Sequence, residues 1–335
     1  NSPRGALIDL ACLAYNIPIV PIPVNLSSNH LDYVLSHAEI SYLFIDSLST
    51  EKFIDQVSKR SNDLLITEIN NNNEWDNFLN ECNKEDFQKP FKHDLNELST
   101  IMYTSGTTDN PKGIIFNQTN IITKRFARAL AMPDIGPDDS FLCYLPLYHT
   151  FGRWFEMMGS IFWGATYTFT ESTSFKSLLK DFKISNPSIF ISIPKRWLQI
   201  YEQIEASVDL EKLTNSEIKK IVKSITGGNL KWGLSAAGYL ESNIFNFFRE
   251  NGVALLSGYG MTEATGGITM TPPNDYVMDS VGKALPGIQL KLAEDNELLI
   301  YGPYVSPGYF KDVIKNTHDN GWFHSGDIFR KKKNH

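Results

Sequence analysis

"IMYTSGTTDNPKGIIF", residues 101 to 116, places a polar loop between two apolar runs. Five consecutive Thr, Ser and Gly residues follow the first run, and Lys112 lies just before the second. The spacing from Gly106 to Lys112 matches the phosphate loop G-x-x-x-x-G-K-[ST], but Pro111 replaces its second glycine and Gly113 its magnesium-binding hydroxyl. Backbone amides, hydroxyls and an ammonium can together surround phosphate oxygens. An altered P-loop, a different phosphate loop and an ordinary polar turn are all consistent with this stretch alone.

Apolar strands and amphipathic helices alternate on both sides of this loop. The predicted strands are 17–24, 140–146, 186–194, 231–238 and 253–260. The predicted helices are 5–15, 119–132, 174–185, 195–206 and 241–251, and residues 30–46 are predicted as a helix followed by a strand. This alternation predicts an α/β fold with mostly parallel sheets. The asparagine run at 70–73 indicates a surface loop.

The last part of the chain follows a different pattern. Residues 287–302 alternate apolar and polar side chains around a turn at 294–296, which predicts an antiparallel hairpin. A chain of 335 residues exceeds the usual size of a single core. We therefore expect three subdomains: a first α/β subdomain (1–95), a second α/β subdomain that carries the polar loop (96–265), and a β-rich subdomain (266–335).

The composition limits the function classes. The formal net charge of -7 argues against a nucleic-acid partner, because phosphate contacts need clustered Lys and Arg side chains. Three cysteines far apart in the sequence form neither a disulfide framework nor a zinc-binding spacing, and they indicate a reducing compartment. The apolar stretch 11–26 is broken by three prolines and is too short to span a bilayer. A cytoplasmic protein is predicted, and association with a membrane surface stays open.

Two short motifs follow predicted strands. "LPLYHTFGR" (145–153) places His149 a few residues after a strand end, with Arg153 one helical turn later. Ligands bind at the carboxyl ends of strands in α/β sheets, although a half-buried histidine that caps a helix explains His149 better when it is taken alone. "SAAG" (235–238) could let the backbone approach a flat ligand, and a tight turn explains it equally well.

The stretch "SGYGMTEATGG" (257–267) is more informative. Tyr259 lies between two glycines and can present its aromatic face. Thr262 and Glu263 offer the hydroxyl and the hard carboxylate that a magnesium–phosphate group needs. Further on, "GWFHSGD" places Asp327 after a glycine, in a loop that could bond vicinal hydroxyls. Each motif alone also fits a glycine-containing turn.

Taken in order, these motifs resemble the adenylate-forming superfamily, which comprises acyl- and aryl-CoA synthetases, luciferases and peptide-synthetase adenylation domains. Their order and approximate spacing match across residues 103–327. "LPLYHTFGRWFEM" and "IPKRWLQIYEQI" (193–204) further resemble the long-chain fatty acyl-CoA synthetase branch. The resemblance implies two α/β subdomains, a distorted β-barrel subdomain and a C-terminal lid domain with a catalytic lysine. Because the chain ends at His335, eight residues after Asp327, we expect it to be the large N-terminal domain, trimmed at both ends.

The resemblance also implies a function. The enzyme would activate a fatty acid, with a long chain in the nearest branch, to acyl-AMP, release pyrophosphate, and then form a thioester with CoA. ATP, Mg²⁺ and CoA are the implied cofactor and co-substrates, and a homodimer stays open. Adenylation of another carboxylic acid, transfer to a carrier-protein thiol, and an inactive nucleotide-binding domain are the alternatives. A P-loop NTPase is disfavoured by Pro111 and Gly113.

Nucleotide-binding residues are implied in each motif by the resemblance. Those that would hold the phosphates are Thr104, Ser105, Gly106, Thr107, Thr108 and Lys112. Those that would contact the rest of the nucleotide are Ala236, Ala237, Gly258, Tyr259, Gly260, Met261, Thr262 and Asp327. In this assignment the backbone at Ala236 and Ala237 lines the adenine, Tyr259 stacks on it, and Asp327 binds the ribose hydroxyls.

The implied catalytic residues are Lys112, His149, Thr262 and Glu263. His149 would lie between the acyl pocket and the reacting carboxylate, Thr262 would hydrogen-bond the α-phosphate, and Glu263 with Thr104 would hold Mg²⁺. The family usually has glycine where this chain has Asp109. An acidic side chain beside a triphosphate is unfavourable unless it points away from the phosphates.

An aromatic and methionine-rich stretch follows His149 and could line an acyl tunnel. Its members are Phe155, Met157, Met158, Phe162 and Trp163. Core packing of a buried helix explains the same stretch at least as well.

Overall fold

The computed structural model describes residues 1–46, 64–81, 94–104, 110–311 and 318–332. The chain divides into two compact units. The small unit comprises residues 2–118 and 308–313, and the large unit comprises residue 1, residues 119–307 and residues 314–335. The expected three subdomains, with boundaries at 95/96 and 265/266, stay a prediction. No helix within the described ranges is both long and apolar enough to cross a membrane.

Helices and two short sheets form the described part of the small unit. Its helices are α1 (Pro3–Ala14), α2 (Ser28–His37) and α3 (Asn72–Asn80). Strands β1 (Tyr42–Ile45) and β2 (Leu65–Glu68) pair in parallel, while β3 (Leu98–Thr104) and β4 (Lys112–Asn117) pair antiparallel. Each helix begins after a polar N-cap whose side-chain oxygen accepts from a backbone amide, namely Ser2, Ser27 and Asn71. The first helix and the helix–strand pair of 30–46 are confirmed.

Two expectations for the small unit are corrected by the structure. The stretch 17–24 was expected to be a strand, but it makes one isolated β-bridge, between Ile19 and Thr100. Its three prolines lack the amide hydrogen that a strand ladder requires. The stretch 70–73 was expected to be a loop, but Asn71 caps α3 and the two asparagines after it are helical. A short polar side chain in that position satisfies the first amides of a helix.

A five-stranded, fully parallel sheet organises the large unit. Its strands are β5 (Ser140–Cys143), β6 (Thr166–Phe169), β7 (Ile189–Ser192), β8 (Trp232–Ala236) and β9 (Ala254–Gly258). Their order is β6–β5–β7–β8–β9, and every neighbouring pair is parallel. The loops that leave the carboxyl ends of these strands therefore share one edge of the sheet. The predicted α/β fold is confirmed.

Helices alternate with the strands of this sheet. They are α4 (Gln118–Ala131), α5 (Met158–Trp163), α6 (Phe175–Ser185), α7 (Pro194–Ser207), α8 (Asn215–Ile225) and α9 (Ser242–Glu250). A π-helix (Phe151–Met157) leads directly into α5. Local sequence sets these boundaries: Pro194 occupies the first turn of α7, and Thr214 and Glu217 form a capping box at the start of α8.

Aromatic side chains fill the core between the sheet and its helices. The Trp197 ring is fully buried, lies edge-on to Phe190 and Phe248, and donates its indole hydrogen to the Leu234 carbonyl at 3.2 Å. A Cβ atom at Gly233 would overlap the Trp197 ring. The tryptophan therefore fixes α7 against β8, directly below the strand end that carries the Ser-Ala-Ala-Gly turn.

Antiparallel strands follow the parallel sheet. The pairs are β10 (Gly260–Met261) with β11 (Gly266–Gly267), and β12 (Thr269–Met270) with β13 (Lys283–Ala284). A four-stranded sheet has the order β14–β15–β17–β16, with β14 (Gln289–Leu292), β15 (Glu297–Tyr301), β16 (His318–Asp319) and β17 (Trp322–Ile328). The hairpin predicted in 287–302 is the β14–β15 pair, and Asn296 takes the left-handed conformation in its turn.

We expect Gly233→Ala to lower the free energy of unfolding by about 1–3 kcal/mol, because the new methyl group must displace the packed Trp197 ring. Gly136→Ala is the matched control, since a Cβ atom there meets no atom within 4 Å. Urea unfolding followed by tryptophan fluorescence measures both variants. Equal stabilities of the two variants would show that the Trp197 contact does not constrain β8.

Candidate active site

Two of the predicted nucleotide motifs meet at neighbouring strand ends of the large unit. Ala236 is the last residue of β8 and Gly258 is the last residue of β9, and the two are register partners. Ala237 follows with a positive φ of 63°, a conformation that turns the chain sharply at the sheet edge. Ala237 is exposed and carries only a methyl group. A planar ligand can therefore approach this backbone, with Tyr259 following on the adjacent strand.

Thr262 and Glu263 lie on a tight turn between β10 and β11. The turn is a short 3-10 helix, Thr262–Ala264, closed by a hydrogen bond from the Thr265 amide to the Thr262 carbonyl at 3.0 Å. The Ser306 amide holds the Glu263 carbonyl at 2.6 Å. A Cβ atom at Gly260 would overlap the backbone of the facing strand, so this glycine permits the close pairing. The hydroxyl and the carboxylate are thus adjacent and half-buried.

Tyr259 and Asp327 are joined although 68 residues separate them. The Tyr259 hydroxyl donates to Asp327 Oδ2 at 2.5 Å, and the tyrosine ring lies edge-on to Phe329 at 4.7 Å. Burial, and then the Asp327 carboxylate, raise the pKa of Tyr259 above its ordinary value. The phenol therefore stays protonated at neutral pH and orients a carboxylate that is itself exposed.

Asp327 lies on strand β17, whereas the sequence indicated a loop. The pairing of β15 with β17 is irregular: Glu297 faces Ile328, but two residues later Leu299 faces His324. The extra residues of β17 form a bulge in which Gly326 has a φ of 73° and donates its amide to Glu297 Oε1 at 2.8 Å. A bulge re-aims side chains locally, so Asp327 is displayed at the surface from within a strand.

His149 lies in the turn between β5 and the π-helix. Its amide donates to the Pro146 carbonyl at 3.0 Å, and its carbonyl accepts from the Arg153 amide at 2.9 Å, as the predicted one-turn spacing requires. Partial desolvation lowers the pKa of the His149 imidazole, which favours the neutral ring at pH 7, although the side chain still reaches solvent. Sequence reasoning missed Gly152, where a Cβ atom would overlap the Pro146 carbonyl.

The His149 turn is adjacent to the turn that carries Thr262 and Glu263. A Cβ atom at Gly266, at the start of β11, would lie 3.3 Å from the Thr150 Cβ atom. Gly266 closes the Thr262 turn, and Thr150 follows His149 in the chain. The structure therefore brings together the strand ends, Tyr259 with Asp327, the Thr262–Glu263 turn and the His149 turn in one unit.

The predicted phosphate loop belongs to the small unit. Thr104 and Lys112 are register partners on β3 and β4, so the apolar runs on either side of the loop pair as antiparallel strands. The Lys112 ammonium lies 6.0 Å from the centre of the Tyr309 ring. The remaining loop residues, namely Ser105, Gly106, Thr107, Thr108 and Asp109, lie outside the described residues. The roles of Thr104 and Lys112 beside ATP stay predictions.

A magnesium site at Glu263 fits the chemistry of its turn. Among the described residues, no three His, Cys, Asp or Glu side chains cluster to hold a metal. Mg²⁺ is usually bound through one or two carboxylates together with substrate phosphates and water. A single half-buried carboxylate beside a threonine hydroxyl is therefore sufficient on the protein side, and Glu263 is the residue that would hold the ion.

The residues proposed for an acyl tunnel have mixed environments. Phe155 and Met157 are buried, and the Phe155 ring lies 4.1 Å from the Arg128 guanidinium carbon. The Trp163 ring stacks on the Phe141 ring at 5.8 Å. Phe162 is exposed on the surface of α5. Core packing explains the first two residues, and the tunnel stays a prediction.

Sequence reasoning missed a set of buried cations on α4. Lys124, Arg125 and Arg128 are buried along with Ile121, because all four lie on the inward face of the helix. The spacing i, i+3, i+4, i+7 was visible in the sequence, but the helix was interpreted only as amphipathic. Cations at core positions are the signal that could have marked them.

The comparisons with known proteins agree with this geometry. A family model described as "AMP-binding enzyme" matches residues 1–310. The chain belongs to the AMP-binding enzyme family. The resemblance to the adenylate-forming superfamily is thereby confirmed, and the roles of the individual site residues stay predictions.

Relatives with curated names include fatty acyl-CoA synthetases, and some of them are named for long-chain acids. Fatty acyl-CoA synthetase A of Dictyostelium discoideum is 27% identical over 390 residues, which cover 100% of this chain and 58% of the relative. Long-chain-fatty-acid–CoA ligase 1 of Homo sapiens is 26% identical over 388 residues, which cover 98% of this chain and 55% of the relative. The chain thus spans rather more than half the length of the curated relatives that it matches.

Solved structures share the fold at lower identity. O-succinylbenzoate CoA synthetase of Bacillus subtilis superposes with a TM-score of 0.78 at 21% identity, covering 98% of this chain and 63% of that chain. ATP-bound MatB of Rhodopseudomonas palustris superposes with a TM-score of 0.79 at 20% identity, covering 98% of this chain and 64% of that chain. These similarities establish the fold.

We expect the Tyr259 phenol to stay protonated where exposed tyrosines ionise, near pH 10. Asp327→Asn removes the negative charge that disfavours the phenolate, so it lowers the pKa of Tyr259, which burial still holds above the ordinary value. The measurement is a difference absorbance titration against Tyr259→Phe. Asp138→Asn, an exposed aspartate distant in sequence, is the control. Ionisation of Tyr259 near pH 10 in the unaltered chain would contradict the Tyr259–Asp327 bond.

Proposed function

We propose that this protein activates a fatty acid with ATP, forming acyl-AMP and pyrophosphate, and that the complete enzyme then transfers the acyl group to CoA. The observation that carries the proposal is the convergence of the β8 and β9 ends, the Tyr259–Asp327 pair and the Thr262–Glu263 turn in a member of the AMP-binding family. The CoA acceptor is taken from the names of both relatives, and the long acyl chain from the name of the Homo sapiens ligase.

The nucleotide would bind at the strand ends. In this proposal the adenine lies against the backbone of Ala236 and Ala237, where only methyl groups project, and Tyr259 stacks on it. Asp327 accepts hydrogen bonds from the ribose hydroxyls, and the bond from Tyr259 fixes the orientation of that carboxylate. A charge-assisted hydrogen bond is stronger than a neutral one, so an ionised Asp327 is a suitable ribose acceptor.

Adenylation is a displacement at the α-phosphorus of ATP. One carboxylate oxygen of the fatty acid forms a bond to the phosphorus, the bond to the pyrophosphate oxygen breaks, and the electron pair leaves with pyrophosphate. A carboxylate is a weak nucleophile, and the phosphate oxygens repel it, so catalysis depends on positioning and on charge neutralisation. Thr262 would donate a hydrogen bond to an α-phosphate oxygen. The neutral His149 ring would orient the substrate carboxylate without neutralising its negative charge.

The departing pyrophosphate carries the largest negative charge in the reaction. Lys112 and the polar loop, together with Thr104, would bind its oxygens in this proposal. Glu263 would hold Mg²⁺, which neutralises phosphate charge when it is bound. Protein cations and loop amides that bind pyrophosphate more tightly than the intact triphosphate favour the forward displacement.

We expect Lys112→Ala and Glu263→Ala each to lower fatty-acid-dependent ATP–pyrophosphate exchange by the full-length enzyme roughly 100-fold or more, because each removes a preorganised charge that the transition state needs. Glu202→Ala, an exposed glutamate on α7, is the matched control and should keep normal exchange. Near-normal exchange in the Glu263 variant would overturn the assigned magnesium role.

The same assay separates the rival functions. Exchange with fatty acids followed by thioester formation on CoA supports the proposal. Exchange without thioester formation on CoA, but with transfer to a carrier-protein thiol, establishes the other acceptor. Tight ATP binding without exchange for any carboxylic acid would identify an inactive nucleotide-binding domain.

A further inference from the structure

Three basic side chains lie buried on one face of helix α4. The exposed fractions of Lys124, Arg125 and Arg128 are 0%, 4% and 2%. We call these three residues the buried cation cluster. Within the described residues, no carboxylate forms a salt bridge with any of them. Buried Lys and Arg side chains are rare in proteins unless they are paired, so the cluster requires an explanation.

Neutral groups partly compensate for the burial of Lys124 and Arg128. The Lys124 amino group donates to the carbonyls of Gly267 and Ala264, and its nitrogen lies 4.1 Å from the centre of the Tyr304 ring. One Arg128 nitrogen approaches the Met270 sulfur at 3.8 Å, while Arg128 Nε has no hydrogen-bond partner. Neutral acceptors and π faces reduce the cost of a buried charge without neutralising it.

Arg125 has no such compensation. Its three nitrogens, Nε, Nη1 and Nη2, are buried and have no hydrogen-bond partner among the residues that the structure describes. Desolvation lowers its pKa to about 9 and that of Arg128 to about 10, so both guanidinium groups stay charged at neutral pH. A buried, charged and unbonded guanidinium costs several kcal/mol. A ligand that supplies the missing acceptor would offset this cost.

The buried cation cluster lies directly against the candidate active site. Ala264 and Gly267, whose carbonyls bind Lys124, belong to the turn and strand that follow Glu263. A Cβ atom at Gly267 would overlap the Arg128 guanidinium, so this glycine makes room for the cation. The Phe155 ring beneath Arg128 comes from the π-helix that follows His149. Lys124 therefore contacts the turn that carries Glu263, and Arg128 packs on the π-helix that follows the His149 turn.

We propose that Arg125 and Arg128 recognise a second anionic group on the acid substrate, so that the preferred acid carries a carboxylate besides the one that is adenylated. The inference rests on the proposed function and names the substrate class of the same site. Two guanidinium groups present planar N–H donors that match a carboxylate in bidentate geometry. The acceptor that Arg125 lacks in the protein is thus supplied by the substrate.

The reacting carboxylate is a poorer occupant of this cluster. Strong hydrogen bonds from two buried cations would stabilise its negative charge in the ground state, and that charge has to attack phosphorus. A second carboxylate on the acid is not consumed, so binding it positions the acid without weakening the nucleophile. In this arrangement Arg125 and Arg128 bind the second carboxylate. The Thr262–Glu263 and His149 turns act on the carboxylate that is adenylated.

The test compares α,ω-dicarboxylic acids with monocarboxylic acids of equal chain length in ATP–pyrophosphate exchange by the full-length enzyme. We expect the KM of the dicarboxylic acid to be roughly 10- to 100-fold lower, the range given by hydrogen bonds to a charged group. In the Arg125→Met variant the KM of the dicarboxylic acid should rise by the same factor relative to that of the monocarboxylic acid, so that the preference is lost. Lys220→Met, which removes an exposed cation from α8, should leave the ratio unchanged.

Thermal unfolding gives a readout that does not depend on exchange activity. Without any acid, Arg125→Met should raise the melting temperature, because it removes an uncompensated buried charge and keeps a side chain of similar length. The dicarboxylic acid should stabilise the unaltered protein and not the variant. Inorganic phosphate serves as the second anion, and equal stabilisation by phosphate and the dicarboxylic acid would show a general anion site and overturn the inference.

Failure of the inference is distinguishable from failure of the proposed function. Exchange with equal KM values for both acids in the unaltered enzyme sinks the inference and keeps the function. A parallel rise of both KM values in Arg125→Met also sinks it, because a structural role would act on both acids alike. If no acid supports exchange, the proposed function fails, and the dicarboxylate-dependent melting shift alone then decides whether the anion site exists.

Discussion

The parallel register of β8 with β9 is the constraint on which the candidate active site depends. It makes Ala236 and Gly258 register partners, so that the small-residue turn after one strand and the Tyr-Gly-Met-Thr-Glu stretch after the other begin side by side. Packing below the sheet fixes α7 against β8, since Trp197 fits only where Gly233 has no side chain. The bond between Tyr259 and Asp327 then joins the parallel sheet to the antiparallel strand β17.

The buried cation cluster beside the candidate active site lowers the stability of the fold. A core that buries three basic side chains without a salt-bridge partner among the described residues is less stable than one with apolar side chains of the same volume. Binding sites commonly retain such unfavourable groups, because the ligand recovers the energy that folding does not. In this protein the unfavourable charges lie beside the glycine-rich turn after Glu263, where the backbone comes close enough to contact them.

Much of the large unit could be predicted from the sequence, because strand and helix periodicities there agree with buried faces. The strands ending at Ala236 and Gly258 and the hairpin of 287–302 are examples. Asp327 was predicted as a ribose ligand in a loop, and its position on a bulged strand was not predictable, because the bulge depends on pairing with Glu297. The strand expected at 17–24 was wrong, because the apolar pattern predicts a strand but the three prolines lack the amide hydrogens that a strand ladder requires.

The candidate site itself was only partly predictable. Sequence motifs were enough to predict Thr262, Glu263 and His149 as site residues. Their proximity was not predictable, because it depends on the contact of Gly266 with Thr150, which no local sequence pattern encodes. The cation cluster was missed because Lys and Arg on a helix normally indicate a solvated face, although their spacing with Ile121 was visible in the sequence.

The central claim, attack of a substrate carboxylate on the α-phosphorus, is tested most directly by isotope transfer. A fatty or dicarboxylic acid labelled with heavy oxygen in its carboxyl groups is incubated with the full-length enzyme, ATP, Mg²⁺ and CoA, and the AMP formed is analysed by mass spectrometry. The account predicts that each AMP carries one labelled oxygen, because the acyl–phosphate bond forms through the carboxylate and the acyl group then leaves with carbon–oxygen cleavage. Unlabelled AMP, or the formation of ADP instead, would contradict it.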